Sequence, residues 1–270
     1  MSKIYDALER AGKSKKKPLE HPGASEIPAK QEDVPSQIEP TPYGELFAVN
    51  RPGSTMAECF RFLRTKILRP AKGNPPRTIL VSSPLRGDGK TFVACNLAAS
   101  ISVSLEEYVL LIDTDLRGPQ VHRVFGMETA KDGLSAHLTR GTPLPELLRK
   151  TALEKLTILP AGNSTKIPAE LISSERMRGL IREARNRYAD RYVIIDGPPL
   201  ELAPESSVIA NEVDAVILVV RYGKTPRNAV KSALDKISRD KVLGIVFNAY
   251  DETFKSHEFY GGYHGYEGSN

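Results

Sequence analysis

From residue 55 onward, short runs of β-branched and aliphatic residues alternate with longer stretches in which apolar positions recur every three or four residues. The short runs are ILVSS (79–83), YVLLID (108–113), LTILPAG (156–162), YVIIDGPP (192–199), AVILVVRYG (215–223) and VLGIVFNAY (242–250), and each predicts a strand. Helical spacing predicts helices over 55–69, 91–102, 169–188 and 225–238. The strands are unbroken apolar runs rather than alternating ones. That pattern predicts a sheet covered on both faces, hence an α/β fold with a mostly parallel central sheet flanked by helices. No internal repeat is present.

The pattern fades toward the ends. Residues 1–12 predict a short helix capped by Ser2, with Ile4, Ala7, Leu8 and Ala11 on one face. Residues 13–45 are rich in proline and charge and poor in large apolar side chains, so they cannot offset their ordering entropy and read as a disordered linker. The run Lys15–Lys17 admits contact with anionic lipid headgroups, but three lysines fall short of the 4–8 that such binding takes, and a solvated charge cluster explains them as well. The domain proper spans 46–250, and 251–270 reads as a flexible tail.

Composition narrows the class. With 270 residues, 40% of them hydrophobic, the chain can build one sizeable core. It contains no apolar run of about 18 residues, the length a membrane span needs, and MSKIYDALER has no apolar signal region. Two cysteines and five histidines match no metal spacing. A reducing cytoplasm and no structural metal are expected. A net charge of +5 is too dispersed to argue for nucleic acid.

The chemistry begins at SSPLRGDGKT, residues 82–91, between a predicted strand and a predicted helix. A Walker A loop reads G-x-x-x-x-G-K-[ST], and here Pro84 stands at its first glycine. The half that touches phosphate is present. Gly87 and Gly89 let backbone amides turn inward around Asp88, and the helix start at Lys90–Thr91–Phe92 adds partial positive charge. Lys90 reaches the β- and γ-phosphates, and the Thr91 hydroxyl is placed to ligate Mg²⁺. A strand–helix loop that merely contains GDGKT is the plain alternative.

Two further strands end in carboxylates: Asp113 and Asp115 in LLIDTDLR, and Asp196 in VIIDGPP. In a parallel sheet all strand C-termini open on one edge. The three acidic residues therefore converge on the edge that holds Lys90 and Thr91. Taken singly each is explained as a helix cap; together with the loop they predict nucleoside-triphosphate chemistry with Mg²⁺.

A phosphate loop, DTDLR and DGPP in this order resemble the Walker A, Walker A′ and Walker B motifs of the bacterial tyrosine kinases. These are P-loop NTPases akin to the partitioning and Min ATPases, and the similarity covers roughly residues 50–270. ECFRFLR (58–64) resembles that family's E-x-x-R-x-x-R segment, FNAY ends the last strand, and EFYGGYHGYEGSN resembles its C-terminal tyrosine cluster. The first helix is similar to the start of autokinases of exopolysaccharide and exosortase gene systems.

The resemblance implies ATP and Mg²⁺ as cofactors, with Lys90 and the loop amides on the phosphates and Thr91, Asp115 and Asp196 around the metal. Asp113 is then the residue expected to accept the tyrosine proton, and Asn248 falls where related ATPases read adenine. The phosphoacceptors are Tyr260, Tyr263 and Tyr266. It also implies a ring-like homo-oligomer through Glu58, Arg61 and Arg64, a transmembrane activator of the polysaccharide co-polymerase type, a cognate tyrosine phosphatase, and recruitment to the inner face of the cell membrane. No nucleic acid is expected. The family often has Pro-Gly-Glu-Gly before the lysine, where this chain has Arg86-Gly87-Asp88-Gly89. Arg86 is left open between phosphate, a neighbouring subunit and water.

Read from the residues alone, Glu58, Arg61 and Arg64 form one helical stripe that a solvated face with an intrahelical ion pair explains. The tail tyrosines stand three apart, but the intervening glycines each cost a helix about 1 kcal/mol, so an exposed flexible segment fits better than an aromatic stripe. Two tempting matches fail. Ala203-Pro204-Glu205 resembles a eukaryotic kinase signature without its companions, and His122 has no nucleophile to activate, which leaves it a surface or packing role. The rival reading is a Min-type ATPase switch. Its signature lysine would fall at Leu85, and it gives no reason for a tyrosine tail. A nucleotide-binding regulatory subunit without catalysis is a third.

Overall fold

A computed structural model describes residues 39–127, 131–187 and 191–250. The expected first helix, most of the linker, and the tail with Tyr260, Tyr263 and Tyr266 lie outside the described residues.

Seven strands form one sheet: β1 Thr78–Ser82, β2 Tyr108–Asp113, β3 Arg149–Lys150, β4 Leu156–Leu159, β5 Arg191–Asp196, β6 Ala215–Arg221 and β7 Val242–Asn248. Their spatial order is β3-β4-β2-β5-β1-β6-β7. All neighbours pair in parallel except β3, which runs antiparallel to β4. The helices are α1 Phe47–Asn50, α2 Thr55–Leu68, α3 Lys90–Ser102, α4 Val121–Val124, α5 Leu134–Arg140, α6 Leu144–Leu147, α7 Pro168–Ile172, α8 Glu175–Arg187, α9 Glu205–Glu212 and α10 Arg227–Asp235.

The unbroken apolar strands have the expected cause. Ile79, Val81, Leu111, Ile194 and Val219 enter one core, against α2 and α3. Leu80, Ile112, Val193, Ile195 and Leu218 enter a second core on the other face, with α8 and α9. Alternate side chains of one strand thus serve two cores. The rule fails at the edge strand β7, where Leu243, Ile245 and Phe247 are exposed, so one of its faces is open among the described residues.

Local chemistry sets the ends. Ser54 caps α2, its hydroxyl accepting from Ala57 N at 3.2 Å. The helix expected over 169–188 is broken in two: Ser174 Oγ accepts from Met177 N, starting α8, and donates to Leu171 O, closing α7. The helix expected from residue 225 starts two residues later, at Arg227, because its N-cap Pro226 is extended and a proline disfavours helical geometry in the residue before it. Thr41–Glu45, read as the end of the linker, are held on the domain. Thr41 and Gly44 bridge, and Asn96 of α3 donates to Glu45 O and accepts from Phe47 N.

Candidate active site

The three strands β1, β2 and β5 stop beside one another, and the residues just past their ends build a cavity of about 470 Å³. Lys90, Thr91, Asp115, Arg86 and Arg117 line it, with Pro198 and Pro199 leaving β5. The predicted strand extensions Gly197–Pro199 and Tyr222–Gly223 are therefore loop. Of these, Pro198 and Pro199 line the cavity, whereas Tyr222 N donates to Asn248 O beside β7.

The loop at 83–89 has the shape a phosphate cradle requires. Gly87 and Gly89 take φ of 87° and 94°, values that side chains with a Cβ resist. Pro84 is buried and does not disturb the turn, because the entry is fixed from outside: Leu200 N donates to Ser83 O and Glu201 N to Pro84 O. Asp88, expected at the phosphates as part of the loop's amides, uses its carboxylate within the protein. Oδ2 accepts from Leu85 N at 2.9 Å and Oδ1 from Thr225 Oγ1 at 2.7 Å, so its side chain braces the loop. Arg221 Nη1 donates to Gly87 O on the same flank. Asn248 Nδ2 donates to Asp88 O at 2.9 Å, which places it against the loop, on the flank away from Asp115. Phe92 makes edge-on contacts with Phe47 and Phe60 while lining the cavity.

The acidic residues converge as expected, each in a different setting. Lys90 Nζ donates to Asp115 Oδ2 at 2.9 Å. Burial alone would lower the Lys90 pKa; the charges of Asp196, Asp115 and Asp113 outweigh it and hold the ammonium above its ordinary value. Thr91 Oγ1 donates to Asp196 Oδ2 at 2.7 Å, while Asp196 Oδ1 is buried with no hydrogen-bond partner among the described residues. A buried acceptor left unpaired costs about 1–3 kcal/mol. Burial pushes Asp196 up to about 6, against the pull of Lys90.

Asp113 lies behind the cavity wall and is fully buried. Its Oδ1 accepts from Asp115 N at 3.1 Å and its Oδ2 from Gln120 N and Val121 N at 3.2 Å, which starts α4. Burial, and next the Asp196 charge, push it up to about 8. The orphaned Asp196 oxygen beside the Thr91 hydroxyl and the Asp115 carboxylate form an all-oxygen donor set, which fits Mg²⁺.

Residues 76–239 match the AAA domain family. The tyrosine-protein kinase YwqD of Bacillus subtilis is 30% identical over 220 residues, covering 81% of this chain and 90% of its own. The chain belongs to the bacterial tyrosine kinase family. The kinase domain of the Escherichia coli tyrosine kinase ETK superposes with a TM-score of 0.69 at 26% identity, covering 77% of this chain and 82% of that one. The succinoglycan biosynthesis transport protein ExoP of Rhizobium meliloti is 32% identical over 75% of this chain, which spans 26% of ExoP. At 24% identity and a TM-score of 0.52, covering 64% of this chain and 70% of its own, the septum site-determining protein MinD of Pyrococcus horikoshii shares the fold.

Several residues of this bacterial tyrosine kinase site carry no sequence signal. Thr225 and Arg221 brace the phosphate loop from a different strand end. Glu205, in sequence no more than a chance match, is buried and pairs with Arg117 at 2.9 Å. His122 is also buried, a packing position; burial and Arg123 hold its imidazole below the ordinary value. In the ECFRFLR stripe, Glu58 pairs with Arg61 at 2.9 Å, whereas Arg64 Nη1 donates to Ser100 O at 2.7 Å within the same chain.

Proposed function

We infer that this chain is an ATP-dependent protein-tyrosine kinase of the bacterial P-loop type, acting in exopolysaccharide or capsule synthesis. The observation that carries the reading is the meeting of Lys90, Thr91, Asp115 and Asp196 at one sheet edge in a chain of the tyrosine kinase family. Its cofactors are ATP and Mg²⁺.

Lys90 and the amides of Gly87–Thr91 hold the phosphates. In the nucleotide-free site the Lys90 ammonium is neutralised by Asp115, a pairing for which a bound phosphate would compete. Thr91, Asp115 and Asp196 would hold Mg²⁺, which would supply charge neutralisation at the phosphates. The tyrosine Oη forms a bond to the γ-phosphorus, the bond to the β,γ-bridging oxygen breaks, and ADP leaves. A phenol with pKa near 10 must give up its proton. Asp113 is the proposed acceptor; burial and the Asp196 charge hold its proton on in the nucleotide-free site, so it accepts only once ionised, a form that a bound cation beside it would favour. Its three amide contacts, all at 3.1–3.2 Å, are what the reacting state exchanges. Asn248 is proposed to read adenine from the loop's far flank, and the acceptors are Tyr260, Tyr263 and Tyr266.

The remaining assignments are part of the same proposal. No helix among the described residues is long and apolar enough to cross a membrane, which fits a chain recruited to the inner membrane face by a transmembrane activator of the co-polymerase type. The ExoP relationship supports that partner. Glu58, Arg61 and Arg64 are assigned to a ring-like homo-oligomer, and a tyrosine phosphatase reverses the modification. A Min-type switch lacks its lysine, since that position is Leu85, whose amide is tied to Asp88.

The test is intact-mass spectrometry after incubation with ATP and Mg²⁺. Wild type gains phosphate, while Lys90→Ala and the triple variant Tyr260→Phe, Tyr263→Phe, Tyr266→Phe do not. ADP accumulation without phosphoprotein, with the activator present, would overturn the kinase reading.

A further inference from the structure

Arg117 lines the cavity of Lys90 and Thr91, and Glu205 ties it in place. A single carboxylate oxygen, Glu205 Oε1, accepts from Arg117 Nη2 at 2.9 Å and from Nε at 3.3 Å. The two partners differ sharply in exposure: the Glu205 side chain is 2% exposed and that of Arg117 is 53%. Glu205 begins α9, where free helix amides favour a carboxylate, and its Oε2 has no hydrogen-bond partner among the described residues. A carboxylate sunk this deep beneath an exposed arginine fixes one edge of the guanidinium and leaves the rest at the cavity.

The backbone supports the same placement. Arg117 follows Asp115 by two residues in a turn closed by Gly118 N donating to Asp115 Oδ1. The residue that pairs with Lys90 and the guanidinium therefore leave β2 on one rigid loop. A transferring phosphoryl group spreads negative charge over its equatorial oxygens, and the planar fork of an arginine matches two of them where an ammonium offers a point charge.

We propose that Arg117 is a catalytic residue whose guanidinium contacts the transferring phosphoryl group, and that Glu205 is its positioning residue, holding the Nε–Nη2 edge so that the other faces the phosphate. This rests on the reading of the cavity as a phosphoryl-transfer site, and is independent of which group accepts the phosphate. The alternative is a bridge that only fastens α9 to the loop after β2.

The experiment compares binding of ADP·Mg²⁺ with binding of ADP·Mg²⁺ plus aluminium fluoride, which mimics the transferring phosphoryl group. Full-length wild type, Arg117→Ala, Arg117→Lys, Glu205→Gln and the Arg117→Ala/Glu205→Gln double variant are titrated calorimetrically and melted. ADP affinity is expected to hold in all. The aluminium fluoride complex weakens about 10²-fold in Arg117→Ala, the scale of one lost oxyanion contact, and about 10-fold in Glu205→Gln, with lysine restoring only part. The double variant binds like Arg117→Ala alone, because positioning has no effect without the group positioned. Unchanged analogue affinity overturns the proposal, whether or not melting temperatures fall, as does a wild type that gains no affinity from aluminium fluoride. Additive losses in the double variant remove Glu205 from the role. Phosphoprotein and ADP are followed in parallel. A wild type that releases ADP without phosphotyrosine sinks the kinase reading and leaves the result for Arg117 standing.

Discussion

Asp113 and Asp196 face each other on the last rung of the parallel pair β2 and β5, and both are fully buried. Their closeness is a consequence of register. Two strands that end together, each with aspartate as the final residue, bring two carboxylates into a space without bulk water. Lys90 is the nearby cation, and it is hydrogen-bonded to Asp115. The nucleotide-free site is thus held in a state of excess negative charge, which a divalent cation relieves.

Stability should therefore fall with rising pH in the metal-free protein. Asp113 is raised to about 8 and Asp196 to about 6, both above the ordinary carboxylate value. A raised pKa means the folded state binds protons that the unfolded chain has released. The stabilisation is complete below about pH 4, where the unfolded carboxylates also hold their protons. It is lost as pH climbs through about 6 and about 8. Melting temperatures measured in chelator from pH 5 to pH 9 should decline; a flat or rising profile would count against the buried pair. Added Mg²⁺ should flatten the decline.

Asp196→Asn separates stability from function. Asparagine keeps an acceptor for the Thr91 hydroxyl, and its amide takes the place of the oxygen that has no partner. Above the raised pKa of Asp196 the neutral side chain avoids the cost of a buried charge. The apo variant is expected to melt higher, by an amount on the order of 1 kcal/mol, while losing the Mg²⁺-dependent gain in ADP affinity and the phosphotransfer. Calorimetry with and without Mg²⁺ checks this; a variant still sensitive to Mg²⁺ would remove Asp196 from the metal site.

Gly89→Ala tests the contact between the phosphate loop and β7. Gly89 has φ of 94°, and a Cβ there would lie 1.9 Å from Asn248 Nδ2. At Gly87, with φ of 87°, a Cβ meets nothing within 4 Å. Both alanine variants bear left-handed strain of about 1–2 kcal/mol, but only Gly89→Ala must also expel Asn248. Its extra loss of nucleotide affinity should disappear in an Asn248→Ala background. Equal losses at both glycines in wild-type Asn248 would show that the contact does not matter.

Much of this arrangement is legible in the amino-acid sequence. Strands with unbroken apolar runs identify a doubly covered parallel sheet, and that alone places Asp113, Asp115 and Asp196 at one edge with Lys90. The split of the helix after Ile172 is hidden because apolar spacing continues across Ser173–Ser174, and only the hydrogen bonds of Ser174 show the interruption. Glu205 and Thr225 escape for another reason. Each acts through a partner remote in sequence, Arg117 or Asp88, so no local pattern marks it. Motif position fixes where the Asp88 backbone lies and says nothing of where its carboxylate turns, so the brace to Leu85 and Thr225 is not legible. The open face of β7 is invisible because an apolar run cannot show whether the next layer exists.

The α2 stripe divides into two kinds of residue, and its variants should divide in the same way. Glu58 is exposed and pairs with Arg61 one helical turn away, a bond worth only a few tenths of a kcal/mol on a solvated helix. Arg64 instead reaches Ser100 O in the last turn of α3, where a cation satisfies a carbonyl that the helix leaves free. If the stripe assembles subunits, Glu58→Ala and Arg61→Ala lower the mass seen by light scattering with the melting temperature unchanged. Arg64→Ala should lower both, its stability falling by about 1 kcal/mol. An Arg64→Ala protein that melts like wild type would make that residue free for a neighbour. Glu58→Ala and Arg61→Ala proteins of wild-type mass would leave the stripe as a solvated helix face.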